Sequence, residues 1–176
     1  MRSNFLKTIK TILFKYFIPS WETKINLKII AGYKGKPIIR PRSNTRLNSK
    51  TYLGENCHIN GMVIRGDGKV VIGDNLHTGE EILIITRYHN FDKGKMIPYD
   101  STFIYEDVII EDNVWIGSRV IILSGVTIGE GAIIQAGSVV TSDIPKCGIA
   151  GGHPAKVFKY RDIEHYEKLK KQKKFF

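Results

Sequence analysis

The chain has 176 residues, enough for one domain with a buried core and short appendages, and its two cysteines, Cys57 and Cys147, are too few for a disulfide framework. The net charge of +10 is uneven: residues 1–50 carry 12 Lys/Arg against one Glu, residues 51–155 carry 7 against 13 acids, and residues 156–176 carry 8 against 3. Basic ends around an acidic middle suit coenzyme phosphates, phosphorylated lipid carriers or a membrane surface, and the lack of any nucleic-acid-binding module argues against a nucleic-acid partner.

In chain order, residues 4–17 place Phe5, Leu6, Ile9, Ile12, Leu13, Tyr16 and Phe17 on one helical stripe, interrupted on the other side by Lys7, Lys10 and Lys15. This predicts an amphipathic helix ended by Pro19. It is too short and too charged to span a bilayer, and no signal-peptide cleavage site follows. Such a helix either packs on the protein or a neighbouring subunit, or lies on an anionic membrane face. Residues 20–50, with Trp21, Gly32, Gly35, Pro37 and Pro41, read as extended segments and turns.

A spacing of six begins loosely at Leu47, Leu53 and Ile59, slips by one residue at Gly66-Asp67-Gly68, and resumes at Ile72, Thr78 and Ile84. From Ile110 to Pro145 it is strict. One column holds Ile110, Ile116, Ile122, Ile128, Ile134 and Val140; the other, four residues further on, holds Val114, Val120, Val126, Ala132, Ser138 and Ile144. A period of six fits neither an amphipathic helix nor a half-buried strand. It fits a solenoid whose triangular coils of about 18 residues stack as parallel strands, because one hexapeptide cannot bury its own face. Gly125, Gly131 and Gly137 fall at turns that favour a positive φ.

The register is lost between Ile84 and Ile110, an interval two residues longer than a multiple of six, so a loop over about 87–107 leaves the coil. It is polar and carries Tyr88, His89, Asn90 and Asp92, and loops on a rigid scaffold are where chemistry is usually placed. Beyond Pro145 a basic helix over 162–174 is expected to cap the last coil, whose strand edges would otherwise be open. The expected organisation is a lead-in over 1–46, the solenoid over 47–161 and a basic helix over 162–176. With only two cysteines, and Cys57 four residues after Leu53 where the repeat wants a small inward residue, a reducing, cytoplasmic setting is expected.

Two stretches carry a resemblance. IEDNVWIGSRVIILSGVTIGEGAIIQAGSVVTSDIP followed by GGHPAKVFKYR closely resembles the C-terminal half of hexapeptide-repeat acetyltransferases. The branch is that of galactoside and maltose O-acetyltransferases and the O-acetyltransferases of surface-polysaccharide synthesis, and the resemblance covers about residues 70–161. It implies an all-β, left-handed parallel β-helix, a homotrimer with active sites between subunits, and acetyl-CoA as co-substrate without a metal. The handedness comes from the resemblance alone, since general rules favour right-handed crossovers.

Within the resemblance His89, 17 residues after Ile72 of IGDN, matches the family's catalytic histidine. A neutral imidazole can take the proton of an acceptor hydroxyl as that oxygen attacks a thioester, so no acyl-enzyme is needed. Matching coenzyme positions are Ser118, Ala136, Thr141, Lys156 and Lys159, with Arg161 as a further cation. Trp115 either lines the subunit interface beside the acyl channel or is an ordinary buried tryptophan. Around His89, the residues Asn75, Tyr88, Asn90 and Asp92 are candidates for the acceptor. Asp92 could orient the imidazole, bind a sugar hydroxyl, or do neither. His58 and His77, about one coil apart, could stack on one face, but the paired histidines of the related zinc enzymes are missing and no metal site is expected.

The function implied is O-acetylation of a sugar in capsule, O-antigen or exopolysaccharide assembly. The alternatives are acetylation of a free small alcohol such as serine, an antibiotic or a simple saccharide, and a trimeric scaffold without catalysis.

Overall fold

The computed structural model describes residues 18–176, with side chains from residue 23 onward. The stripe over 4–17 lies outside the described residues. Among those described, no helix is long and apolar enough to cross a membrane.

The architecture is a left-handed β-helix of about six coils whose short strands form three parallel sheets. The first sheet stacks β1 (Gly32–Tyr33), β3 (Thr51–Leu53), β6 (Val70–Ile72), β11 (Val108–Ile110) and β14 (Thr127–Ile128). The second stacks β2 (Ile38–Ile39), β4 (His58–Ile59), β7 (His77–Thr78), β12 (Trp115–Ile116), β15 (Ile133–Ile134) and β17 (Gly148–Gly152). The third stacks β5 (Met62–Arg65), β8 (Ile82–Ile85), β13 (Ile121–Ile122) and β16 (Val139–Val140). Parallel pairing thus begins at Gly32, ahead of the first repeat residue legible in the sequence.

Both repeat columns face inward. Ile110 through Val140 and Val114 through Ile144 are all at most 3% exposed, so each large aliphatic contributes roughly 1.5–3 kcal/mol of burial. The coils approach so closely at the corners that a Cβ on Gly117 would lie 2.5 Å from the Ala136 nitrogen. His77 and Trp115 pair although 38 residues apart, whereas Trp115 and Ile133 pair at 18. The difference of 20 residues is the inserted segment.

The two ends depart from the sequence expectations. Residues 20–29, expected to be extended, belong to α1 (Ile18–Ile29), and Pro19 stands in its first turn, where a missing N–H leaves no hydrogen bond unmade. The helix covers the first coil: Asn26 Nδ2 donates to the Thr45 carbonyl at 3.1 Å, and its Oδ1 accepts the Leu47 N–H at 3.1 Å. A buried amide here takes the place of the missing neighbouring strand.

The basic C-terminal helix, α2 (Ile163–Lys171), does not cap the last coil. That edge is covered by β18 (Ala155–Tyr160), which folds back antiparallel on β17. Instead α2 runs beside the corner between the first and second sheets. There Asn56, Asn75 and Asn113 all have φ between 52° and 60°, and their amides form a ladder with steps of 3.0 and 2.9 Å. Gly131 continues the corner because the Tyr166 ring would lie 2.8 Å from any Cβ there.

Glu130 holds α2 in place, accepting from the Tyr166 hydroxyl at 2.7 Å and Lys170 Nζ at 2.6 Å, with Lys146 at 3.6 Å. Burial alone would raise its carboxyl, but the hydrogen bonds from Lys170 and Tyr166 and the charges of Lys170 and Lys146 outweigh that and leave it below the usual range. A folded pKa below the unfolded one stabilises fully above the unfolded value, and that contribution drains as pH falls through the folded value. Glu130→Gln should therefore lower the melting temperature at pH 7. Melts repeated toward pH 3 should show the gap from wild type closing; a gap of constant size would assign the loss to packing.

Candidate active site

The inserted segment is an antiparallel hairpin in which β9 (Arg87–His89) pairs with β10 (Phe103–Tyr105), placing His89 opposite Phe103. Its base is tied to the solenoid. Thr86 is buried, and its hydroxyl donates to the Arg65 carbonyl at 3.0 Å and accepts the Gly68 N–H at 3.1 Å. Glu106 receives the Ser124 hydroxyl at 3.0 Å and the Tyr88 hydroxyl at 3.4 Å. Burial, and then Glu106, push the Tyr88 phenol up, so Tyr88 stays a neutral donor.

The His89 imidazole stacks on Tyr99, with centroids 3.7 Å apart and planes 18° apart, and meets Phe103 at 4.4 Å. Its Nδ1 is enclosed and has no hydrogen-bond partner among the described residues. Asp100 shapes this turn by accepting the Thr102 hydroxyl at 2.5 Å, the Thr102 N–H at 2.8 Å and the Lys95 N–H at 2.8 Å. The Thr102 hydroxyl first, then the two main-chain donors, hold the Asp100 carboxyl below its ordinary range, and His89 adds a smaller pull. Asp100 was missed in the sequence reading; its signal is Asp-Ser-Thr at 100–102, a turn in which Asp bonds the backbone two residues on.

Of the residues expected around His89, Tyr88 and Asn90 lie on the hairpin beside it. Asn90 Oδ1 accepts the Lys93 N–H at 3.1 Å. Asp92 is exposed and makes no hydrogen bond among the described residues. Asn75 is not brought to the hairpin: its amide is part of the ladder at the first corner.

The positions matched to the family's coenzyme contacts gather mainly at another edge. Ser118 and Ala136 follow one another at the corner between the second and third sheets, where Ser118 Oγ accepts the Glu80 N–H at 3.0 Å and the Ser118 carbonyl accepts the Gly137 N–H at 2.9 Å. Gly152 continues this corner, donating to Ser138 Oγ at 3.2 Å. The hairpin leaves from the opposite edge of the third sheet, after β8, so one chain holds His89 and Ser118 on either side of that sheet.

The bacterial transferase hexapeptide family (six repeats) matches residues 107–142. Among solved structures, a maltose O-acetyltransferase from Clostridium difficile 630 is 31% identical, with 79% of this chain and 74% of that chain covered and a TM-score of 0.58. The chain belongs to the hexapeptide-repeat acetyltransferase family. A galactoside acetyltransferase in complex with coenzyme A is 27% identical, with 81% and 71% covered and a TM-score of 0.64. A hexapeptide-repeat acetyltransferase from Vibrio cholerae, complexed with acetyl coenzyme A, shares the fold at 24% identity, with 88% and 84% covered and a TM-score of 0.60. No curated protein sequence gave a significant match. Membership makes the chain an acyltransferase.

The other residues matched to the family are distributed as follows. Trp115 is 53% exposed on the outer face of the second sheet, which removes the ordinary buried reading. Lys156 and Lys159 are exposed on β18, opposite Gly151 and Ile149. Thr141 is exposed just past β16, one strand away from the Ser118 corner. Arg161 is drawn elsewhere, its Nε donating to the Gly131 carbonyl at 2.6 Å. His58 and His77 do stack, with centroids 4.4 Å apart. Burial first, then His58, push the His77 imidazole down.

The Ser118 corner also holds a polar cavity of about 590 Å³, lined by Arg40, Arg42, Asn44, Asn60, Glu80 and Glu81 among others. Arg40 bonds Glu80, and Arg119 Nε donates to Glu81 at 2.9 Å. Asn60 Nδ2 donates to the Thr78 carbonyl at 2.6 Å. None of these was singled out from the sequence, although Asn60 and Glu80 each follow an inward repeat residue by one or two positions.

Proposed function

We propose that the protein is an acetyl-CoA-dependent O-acetyltransferase acting on a sugar hydroxyl in surface-polysaccharide assembly, with His89 as general base. The observation that carries the reading is the polar cavity on the Ser118 corner. Its arginines, carboxylates and amides offer both donors and acceptors, as a polyhydroxylated acceptor requires, and it adjoins the serine matched to a coenzyme contact. The basic ends of the chain fit the phosphates of the coenzyme and of an activated or carrier-linked sugar.

The coenzyme fits the Ser118–Ala136–Gly152 corner: the coils lie close there, a Cβ on Gly137 would meet nothing within 4 Å, and Lys156 stands exposed beyond. Lys156 and Lys159 would face its phosphates, as point charges without the bidentate geometry of arginine. Acetyl-CoA supplies an acetyl group already activated as a thioester. His89 removes the proton of the acceptor hydroxyl as its oxygen bonds to carbon, then returns that proton to the departing sulfur. Tyr99, Phe103 and Asp100 keep the ring and its turn in place so that little ordering is left to binding.

Because His89 and Ser118 lie at opposite edges of the third sheet, the reading calls for a second copy whose hairpin meets this chain's corner, and a closed homotrimer supplies three such sites. The enclosed free thiols Cys57 and Cys147 suit a cytoplasmic enzyme; burial first raises the Cys57 thiol to about 11, which keeps it unreactive. Thiol release from acetyl-CoA with a panel of mono- and oligosaccharides, serine and aminoglycosides tests the function. Turnover should rise with at least one saccharide, and mass spectrometry should find a single added acetyl ester. Turnover with serine or an aminoglycoside alone would transfer the assignment to a free small acceptor, and none with any would favour the scaffold.

A further inference from the structure

The outer face of the first sheet carries an apolar stripe that crosses the coils. Tyr52 of β3, Val71 of β6 and Ile109 of β11 stand in register on it, with Tyr52 46% and Ile109 41% exposed. Two cavities, of about 340 and 380 Å³, lie along this stripe and share Val71, Gly73 and Asp112, so together they form one groove that crosses the coils from Tyr33 to Glu130. Carboxylates follow its rim. Asp74 Oδ1 accepts the Glu55 N–H at 2.8 Å and lies 3.8 Å from Lys34 Nζ, Asp112 Oδ1 accepts the Asp74 N–H at 2.7 Å, and Glu111 Oε2 accepts the Glu130 N–H at 2.7 Å. The second oxygen of each of these three has no hydrogen-bond partner among the described residues. Glu130, at the far end, is taken up by Tyr166 and Lys170 of α2. Lys69 is exposed, and its Nζ lies 5.4 Å from the centre of the Tyr52 ring.

We propose that this groove holds an extended, uncharged oligosaccharide, the chain form of the acceptor, with sugar rings against Tyr52, Val71 and Ile109 and hydroxyls on the open oxygens of Asp74 and Asp112. A pyranose has an apolar face of C–H groups and a rim of hydroxyls, and a half-exposed tyrosine beside carboxylates answers both. The partners recur from coil to coil at the strand spacing of about 4.7–4.9 Å, close to the advance of one sugar in an extended chain; the same-face repeat of a polypeptide strand is longer, about 6.4–6.8 Å. The acids repel a polyanion, since Lys34 is already paired with Asp74. The groove follows the corner between the first and second sheets, which neither His89 nor Ser118 occupies, so it stays open when a second copy brings those two together. The hairpin bearing His89 rises from the other edge of this same face, where Asp107 Oδ1 accepts the Lys69 N–H at 2.9 Å. A chain held in the groove therefore keeps its next units near that hairpin and raises their local concentration. The inference rests on the sugar O-acetyltransferase reading, and names a chain as the acceptor where that reading leaves a single sugar open.

The experiment is equilibrium binding of malto-, cello- and chito-oligosaccharides of increasing length to the full chain, with heparin and a lysine decapeptide as separate arms. At least one neutral series should bind, with affinity rising about tenfold or more from the monosaccharide to the longest member and undisturbed by saturating acetyl-CoA. Tyr52→Ala and Ile109→Arg, both at exposed positions, should each remove that rise while melting temperature and sedimentation stay as in wild type. In the transfer assay the longer acceptor should gain through KM alone, and Tyr52→Ala should erase the gain without changing kcat on the monosaccharide. Binding of no series, affinity independent of length, or a rise that persists in both variants would each overturn the proposal. So would binding of heparin or of the decapeptide in place of the saccharides, and a change of sedimentation in both variants would give the face to a second copy. Length-dependent binding without acetyl transfer to any saccharide would sink the functional reading and keep the groove; transfer at a rate indifferent to chain length and to Tyr52→Ala would do the reverse.

Discussion

His89→Ala should reduce acetyl transfer to the acceptor by about 10² to 10⁴-fold in kcat, the usual worth of a positioned general base. Acetyl-CoA affinity should hardly change, because the residues matched to the coenzyme, among them Ser118 with its Glu80 N–H and Lys156 on β18, are held by the solenoid and none is positioned by the imidazole. The fold should survive. The hairpin is paired through Arg87–Tyr105, Tyr88–Ile104 and His89–Phe103, and its turn is held by Asp100, none of which needs the imidazole. Losing the stack on Tyr99 and Phe103 costs roughly 0.5–1.5 kcal/mol, small beside the loss of activity. Steady-state kinetics with acceptor and coenzyme varied separately, next to a melting curve, separate the two effects. A variant within a few-fold of wild type would remove His89 from the chemistry and leave the proton transfer to water or to the acceptor itself.

The solenoid was legible because its signal is repeated: one six-residue rule holds at Ile110 through Ile144, and every copy reinforces the last. The insertion was legible as a break in that same rule. What lay at the ends was not, since each end is a single event with no period. Residues 20–29 carry prolines and glycines nearby that favour turns locally, but the open first coil rewards a covering helix, and Asn26 bonding to Thr45 and Leu47 is a tertiary choice. Likewise a basic helix after Pro145 was plain, yet its path along the asparagine corner depends on Tyr166 finding Gly131 and Glu130.

The candidate site divides along the same line. His89 and its neighbours were adjacent in sequence and remain so in space. Asn75 was grouped with them by sequence, but positions one sheet apart in a triangular coil face different directions, and its φ of 57° commits it to a corner. The polar cavity draws Arg40, Asn60 and Glu80 from three successive coils about 20 residues apart. That spacing is read only by stacking the coils, which the first 45 residues, with no strict repeat, did not permit.

Stacking also sets the cost of damage. Ile122→Ala should destabilise by about 2–5 kcal/mol, the range for truncating a fully buried isoleucine where neighbours cannot collapse into the void. Ile122 sits in the third sheet with Ile84 on one side and Val140 on the other, all 0% exposed, so the hole opens toward two coils at once. Ile39 offers the contrast. It is only 4% exposed but belongs to the first coil, pairs with Ile59 on one side only, and has α1 near it, through Thr23, rather than a further coil. In a solenoid each coil contacts only its neighbours, so stability is close to a sum of coil and interface terms, and a terminal coil contributes one interface where an internal coil contributes two. Ile39→Ala should therefore cost no more than about half as much as Ile122→Ala in denaturant melts at one fixed protein concentration, which holds any subunit association constant. Equal losses would mean that α1 packs on the first coil as fully as another coil would, and that the solenoid has no weak end.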